Sequence, residues 1–434
     1  MSYRVLFTLA LAAGRFGLPP AAWAATELVP SRDDQILEKL AAPTLRAVRS
    51  ATQNPQQSQP NTGNLPLAQG NTLPPAASYA AAQQALAPAR QAVALARQTG
   101  DTRYWGRAQA LIAPWWDQPR APTAVAVLQA TIQQGRHEFA PAHKTLVEVL
   151  LREPNNAQAA LTLASLDRLA GRYAASLQSC EVVEQAGQPW YALACRLETL
   201  SLQGQWQAAA KGLTALMATA TEPGQIAWVA SLLAESEERA GHDVAAARAY
   251  ERSLQADPDL YTALASADLL LRTATMPAPH TARNKAQNTP PKAVLQAVLK
   301  RLAPLPNTDA VLLRRAFALR LLAKQGRPPS NEAWLALKTT LVERDQALRQ
   351  RGDDVSLHDR EAALFSLWLD DQPQQALTLG LSNLNLQQEP IDWRIALQSA
   401  AAAGDAQTTA ALQARIRAIG LKDQRLAAFG GDAP

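Results

Sequence analysis

Two cysteines, two neighbouring histidines and one run of carboxylates are the residues of this 434-residue chain whose type and spacing could carry chemistry. Cys180 and Cys195 stand on either side of Gly187-Gln188. A turn between antiparallel helices at that point would bring both sulfurs to the same height. In an oxidising compartment such a pair bridges and restrains the unfolded chain. A disulfide is the expectation; the alternative is two buried thiols acting as small apolar groups, because side chains at one height can still point apart. The CxxC spacing of a redox-active pair is missing. His137 and His143 are six apart, whereas a metal pair on one helix face needs three or four, so both read as surface histidines and no metal site is expected. Glu235, Glu237 and Glu238 read as a solvated acidic face, since a catalytic dyad would need a closed pocket around it. There is no HExxH, no GxSxG, no Gly-rich loop ending in Lys-Ser/Thr and no GxGxxG opening a helix. The expectation is a non-enzymatic protein without a cofactor.

A helical hairpin must position these residues. Ala157 to Pro189 reads as a first helix with Leu163-Ala164 at its middle, a break at Gly171, Tyr173 just after it, and a second helix through Ser176 and Cys180. The unit recurs. In Pro122 to Pro154, Phe139 and Ala142 stand where Tyr173 and Ser176 stand 34 residues later. Trp206 follows Tyr173 at 33 residues, between Gly204 and Ala209, and the next unit breaks at Gly241, carries Ala246 and Tyr250, and closes at Pro258. The small residue within the first helix, the turn Gly, the aromatic after it and the closing Pro resemble a tetratricopeptide repeat. That resemblance implies an all-α fold: an α-solenoid of about nine hairpins wound into a right-handed superhelix, each burying its apolar side against its neighbours.

The remaining hairpins are read from the same alternation. Ser78 to Gln98 and Thr102 to Ala113 form the first, sealed by Pro114-Trp115-Trp116. Beyond Asp259 the copies decay. Leu260 to Arg272 is separated from Lys292 to Leu302 by a Pro-rich insertion near 274–291. Asp309 to Lys324 pairs with Asn331 to Arg349, Leu357 to Leu369 with Gln374 to Gln388, and Ile391 to Ala403 with Ala406 to Ile419, leaving LKDQRLAAF as a cap. The array thus divides into repeats at 77–258 and divergent repeats at 259–434. The stretches GDTRYWGRAQALIAPWW and SLHDREAALFSLWLDDQPQQALTLGLSNLNLQQEPIDWRIALQSAAAAGD are similar to parts of exported bacterial tetratricopeptide proteins of uncharacterised function. This resemblance spans most of Asp101 to Asp405 and implies a fold and a location, not a reaction.

Residues 1–24 offer Arg4, an apolar run from Val5 to Ala13 and small residues ending at Ala22-Trp23-Ala24, the pattern of a secretory signal cleaved after Ala24, although Arg15 interrupts it. An uncleaved anchor is the alternative, but the apolar run is shorter than the roughly 20 residues a spanning helix needs. The expected mature protein is periplasmic or secreted and has no membrane span. Residues 25–49 suggest a short helix. Residues 50–76, rich in Gln, Asn, Pro and Gly, bury too little to offset chain entropy and read as a disordered linker. Without residues 1–24 the chain keeps 40 basic and 37 acidic side chains, a charge of +3. Such a balance points to neither nucleic acid nor an anionic membrane surface.

Tetratricopeptide domains take an extended peptide or a partner helix on the concave side, and alignment on the turn glycines assigns that side here to Arg168, Tyr191, Glu198, Trp228, Glu235, Glu238, Arg320 and Lys324, with Gln158, Ser165, Arg239 and His358 beside them. Tyr191 and Trp228 are the aromatic anchors, and the charges set register. The groove changes sign along its length, which suits a charged peptide better than a polyanion. The function this implies is a protein-protein interaction scaffold of the bacterial envelope with a protein or peptide partner, such as an inner-membrane complex. The alternative is an accessory subunit of an envelope transporter or of a polysaccharide synthesis or export complex.

Overall fold

The computed structural model describes residues 79–275, 291–325, 332–350 and 358–429. The signal, the short helix at 25–49, the linker and nearly all of the insertion lie outside the described residues. Within them every regular element is helical, and consecutive helices pair into nine hairpins. These are α1 (Tyr79–Thr99) with α2 (Arg103–Leu111), α3 (Thr123–Gly135) with α4 (Phe139–Arg152), and α5 (Ala157–Leu169) with α6 (Tyr173–Gln185). Next come α7 (Pro189–Leu202) with α8 (Trp206–Ala218), α9 (Pro223–Arg239) with α10 (Asp243–Ala256), and α11 (Leu260–Thr275) with α12 (Pro291–Leu302). The last three are α13 (Asp309–Gln325) with α14 (Glu332–Gln350), α15 (Asp359–Trp368) with α16 (Pro373–Leu386), and α17 (Pro390–Ala402) with α18 (Ala406–Ile419). A short α19 (Gln424–Ala427) follows, within the stretch expected to cap the array. The fold is a tetratricopeptide-like α-solenoid.

The hairpin turns follow from the sequence. Gly171, Gly204 and Gly241 each take a positive φ of 70–89°, which a residue without a β-carbon adopts at no steric cost and which ends the first helix of the pair. In the second hairpin His137 occupies that place with φ 62°, and in the eighth Asp371 does so with φ 52°. Burial then separates the helices into two layers. In α3 every residue from Val125 to Gln134 is buried, and in α5 every residue from Ala159 to Leu169. Their partners bury one stripe only, Ala142, Leu146 and Val149 in α4 and Ala209, Leu213 and Leu216 in α8, spaced as on one face of a surface helix. First helices form the inner layer and second helices the outer. Each buried Leu of a stripe contributes about 1.5–3 kcal/mol relative to exposure, so the outer helices are held chiefly through these anchors.

The solenoid does not stay open. Helix α1 packs against both α3 and α11, and a β-carbon on Gly100 would lie 2.5 Å from Thr308 and 3.1 Å from Leu260. At the other end of the inner helices the C-terminal repeats come in. The Gln388 N–H donates to the Leu169 carbonyl at 2.7 Å and the Lys422 N–H to the Leu202 carbonyl at 2.8 Å. Leu202 and Tyr173 share an apolar cluster with Leu384, Trp393, Leu397, Leu421 and Leu426. Two backbone bonds across more than 200 residues, both to carbonyls at helix C-termini that lack intrahelical partners, tie the last turn of the superhelix to its middle.

Candidate functional site

The inner helices run between two different environments. Their N-terminal halves line a hollow of about 930 Å³, open to solvent, and their C-terminal ends abut the segment from Gln388 to Arg425. The hollow's floor is apolar, from Val127 and Leu128 of α3 and Ala227 and Trp228 of α9. One wall is α1, with Gln83, Arg90 and Arg97. The α10–α11 turn, which adjoins the C-terminal end of α1, also lines it, with Asp257, Asp259 and Tyr261. Burial and the neighbouring Asp259 raise the Asp257 carboxyl above its usual range. The Asp259 carboxylate is engaged as the cap of α11, accepting from the Thr262 N–H at 2.9 Å and from its hydroxyl at 2.5 Å.

The residues assigned to the concave side by turn alignment fall into separate places. Trp228 lines the hollow, together with Gln158, and stacks on Tyr191 with ring centroids 6.0 Å apart. Tyr191, half-buried, accepts a hydrogen bond from the Gln225 amide at 3.2 Å, and Trp190 packs against both rings. Arg168 and Glu198 form a buried ion pair at 2.8 Å, and the Arg168 guanidinium also reaches the Ser176 hydroxyl at 3.2 Å. Glu235 accepts from Tyr261 at 2.8 Å and pairs with Arg239. Arg168, Glu198, Glu235, Arg239 and Glu389 surround a cavity of about 40 Å³, enough for one or two waters. Glu238 sits in a node of its own, within 3.2 Å of Arg272, 3.0 Å of Arg425 and 2.8 Å of the Tyr250 hydroxyl. Burial alone would raise its carboxyl, but Arg425, Arg272 and Tyr250 outweigh that and leave it below the ordinary value. Arg320 is taken up by Asp371 and the Trp368 carbonyl, and its guanidinium lies over the Trp334 ring. Lys324 is exposed at the end of α13. His358 meets His137 across the winding, with ring centroids 6.4 Å apart. Burial pushes His137 well below the usual histidine range, and its Nδ1 has no hydrogen-bond partner, so this ring is not the surface group its spacing suggested.

The two cysteines are bridged. Their Cα atoms are 5.7 Å apart across the α6–α7 turn, and both residues are fully buried. Among the described residues no group of three or more His, Cys, Asp or Glu side chains is placed to hold a metal ion. No helix among them is long and apolar enough to cross a membrane.

Sequence reasoning missed the α1 wall and the acidic α10–α11 turn. The signal for the first was available: Gln83, Arg90 and Arg97 recur every seven residues, two helical turns, on what was read simply as an Ala-rich helix. It also missed the buried pairs in the C-terminal half, Arg314 with Asp268 at 2.7 Å and Arg360 with Asp392 at 2.7 Å. Asn383 donates to the same Asp392 at 2.7 Å.

No protein-family model matches the sequence, and no curated protein matches it. Among solved structures, the human IFIT1 dimer with PPP-AAAA is similar to 78% of this chain over 86% of its own, at 13% identity and a TM-score of 0.36. The tetratricopeptide domain of P58(IPK) aligns with 80% of this chain over 96% of its own, at 12% identity and a TM-score of 0.24.

Proposed function

We propose that this chain is a non-enzymatic scaffold that receives an extended segment of a partner protein in the hollow walled by α1, α3, α5, α9 and α11. The observation that carries the reading is the hollow itself: about 930 Å³ with an apolar floor and polar walls of both signs, lined by the N-terminal halves of inner helices whose C-terminal ends meet the chain's own C-terminal repeats. That volume lies at the upper end of what encloses a small ligand and leaves room for several residues of an extended chain. The ion pairs on the remaining inner surface are engaged with one another, so they position helices more than they contact a partner. Export to an oxidising compartment is part of the proposal, and the Cys180–Cys195 bridge supports it. The partner is then a protein of the envelope.

The test is site-specific photocrosslinking in the envelope fraction. A photoreactive residue at Tyr79, exposed at the rim of the hollow, or at Gln83 should crosslink to the same short segment of one protein, mapped by mass spectrometry. The same residue at Leu151, exposed on the outer helix α4, should not. Equal capture of that segment from both faces would contradict the proposal.

A further inference from the structure

The chain itself supplies an occupant for the hollow, an inference that rests on reading the hollow as a site for polypeptide. Tyr79, the first described residue, lines the hollow and is 70% exposed at its rim. Whatever precedes it in sequence is therefore tethered at the mouth of the site. Between Ala25 and Ser78, outside the described residues, only one stretch sets three large aliphatic side chains within five residues: Ile36, Leu37 and Leu40. At about 100° per residue of helix, these three fall on one face. Ser31 and Asp34 ahead of them have the spacing of a capping box, and Pro43 ends the pattern. The sequence thus offers a compact apolar face, about 6 Å long from Ile36 to Leu40.

The hollow offers the complement, with Val127, Leu128, Ala227 and Trp228 as its apolar floor. Ser31 to Ala42 carries Arg32 and Lys39 against Asp33, Asp34 and Glu38, a balance of −1. Against walls of both signs that charge neither drives nor bars entry, so burial of the apolar face decides. Reach is sufficient. Thirty-six residues, 43–78, join the segment to Tyr79, and a chain of that length spans about 30–36 Å. Such a tether holds its end at an effective concentration on the order of 1 mM. A segment whose free dissociation constant is ~0.1 mM would then fill the hollow about ten times as often as leave it empty. We infer that residues 31–42 dock in the hollow of their own chain through Ile36, Leu37 and Leu40, and that a partner segment must displace them. The partner's apparent affinity falls by about tenfold in consequence.

Photocrosslinking within the purified full chain decides this. Gln83 is exposed on α1 and lines the hollow. A photoreactive residue in its place should join position 83 to the peptide that holds Ile36, Leu37 and Leu40, in a yield unchanged when the protein is diluted. Leu37→Asp with Leu40→Asp should lower that yield about tenfold, with the melting temperature of the solenoid little changed. No link from position 83 to the segment would overturn the inference. So would a yield that falls in proportion to dilution, which would mean that the segment comes from a second copy, or an equal link from Leu151 on the outer helix α4. The partner's use of the hollow is tested apart from this, by capture from Tyr79 in the envelope fraction. The double variant should capture the partner's segment more readily than the wild type. An intramolecular link without any captured partner would leave the docking standing and remove the scaffold reading, whereas capture equal in both chains without that link would do the reverse.

Discussion

Arg168 and Glu198 show what the interior of this molecule demands of a charged side chain. Each is more than nine-tenths buried, and each has the other at 2.8 Å. A buried ion pair adds little net stability, but removing one partner strands a charge without solvent, at a cost of about 3–5 kcal/mol. Arg168→Ala should therefore lower the melting temperature by several degrees, while the double replacement Arg168→Met with Glu198→Leu should be close to neutral. Thermal melts of the two variants check this, and a double variant destabilised as much as Arg168→Ala would contradict it. Glu238 makes the same point through pH. Its carboxyl is held below the ordinary value of 4.5 by Arg425, Arg272 and Tyr250, which outweigh its burial. A carboxyl with a depressed folded-state pKa contributes stability that is fully present above about pH 4.5 and is lost as the pH falls through the folded-state value. Glu238→Gln should then be less stable than the wild type at pH 7, with the gap narrowing below pH 4.5. Melts between pH 7 and pH 3 measure it, and a gap independent of pH would sink the assignment.

At the scale of the element, the hairpin is the unit that the chain repeats and the disulfide is the one covalent bond between two of them. Cys180 is on α6 and Cys195 on α7, fifteen residues apart. A crosslink closing a loop of that length restrains the unfolded chain by about 3 kcal/mol. Replacing both cysteines by Ser should cost about that much or somewhat more, because two hydroxyls would then be buried, whereas Ala at both sites isolates the loss of the bond. Alkylation with and without prior reduction, read by mass, reports the bond directly. Much of this level was legible in the residues. The recurrence of Phe139, Tyr173 and Trp206, and the glycines at 171, 204 and 241, marked the hairpins because these turns take a positive φ and these three second helices open on an aromatic residue. Where His137 and Asp371 take the glycine's place that signal is missing, and only the spacing remains.

The whole molecule is where the sequence falls silent. Turn alignment can say which face of a helix points inward, but not what meets it there. Glu238 finds Arg425, Leu202 finds Lys422 and Leu169 finds Gln388 across nearly two hundred residues or more, and such contacts leave no local period. They arise because the superhelix winds tightly enough for its last hairpins to return to its middle, which divides the inner surface into a self-filled end and a hollow one. Everything proposed about function depends on that division. The most direct measurement is native-state hydrogen exchange at the amides of Gln388 and Lys422. Both lie outside the helices and donate to carbonyls of distant ones, so neither is protected by any local structure. The closed winding predicts that both exchange orders of magnitude more slowly than the unstructured rate, at the pace of inner helices such as α5. Exchange at the unstructured rate, with α5 still protected, would mean an open trough in which the C-terminal repeats never reach the inner surface.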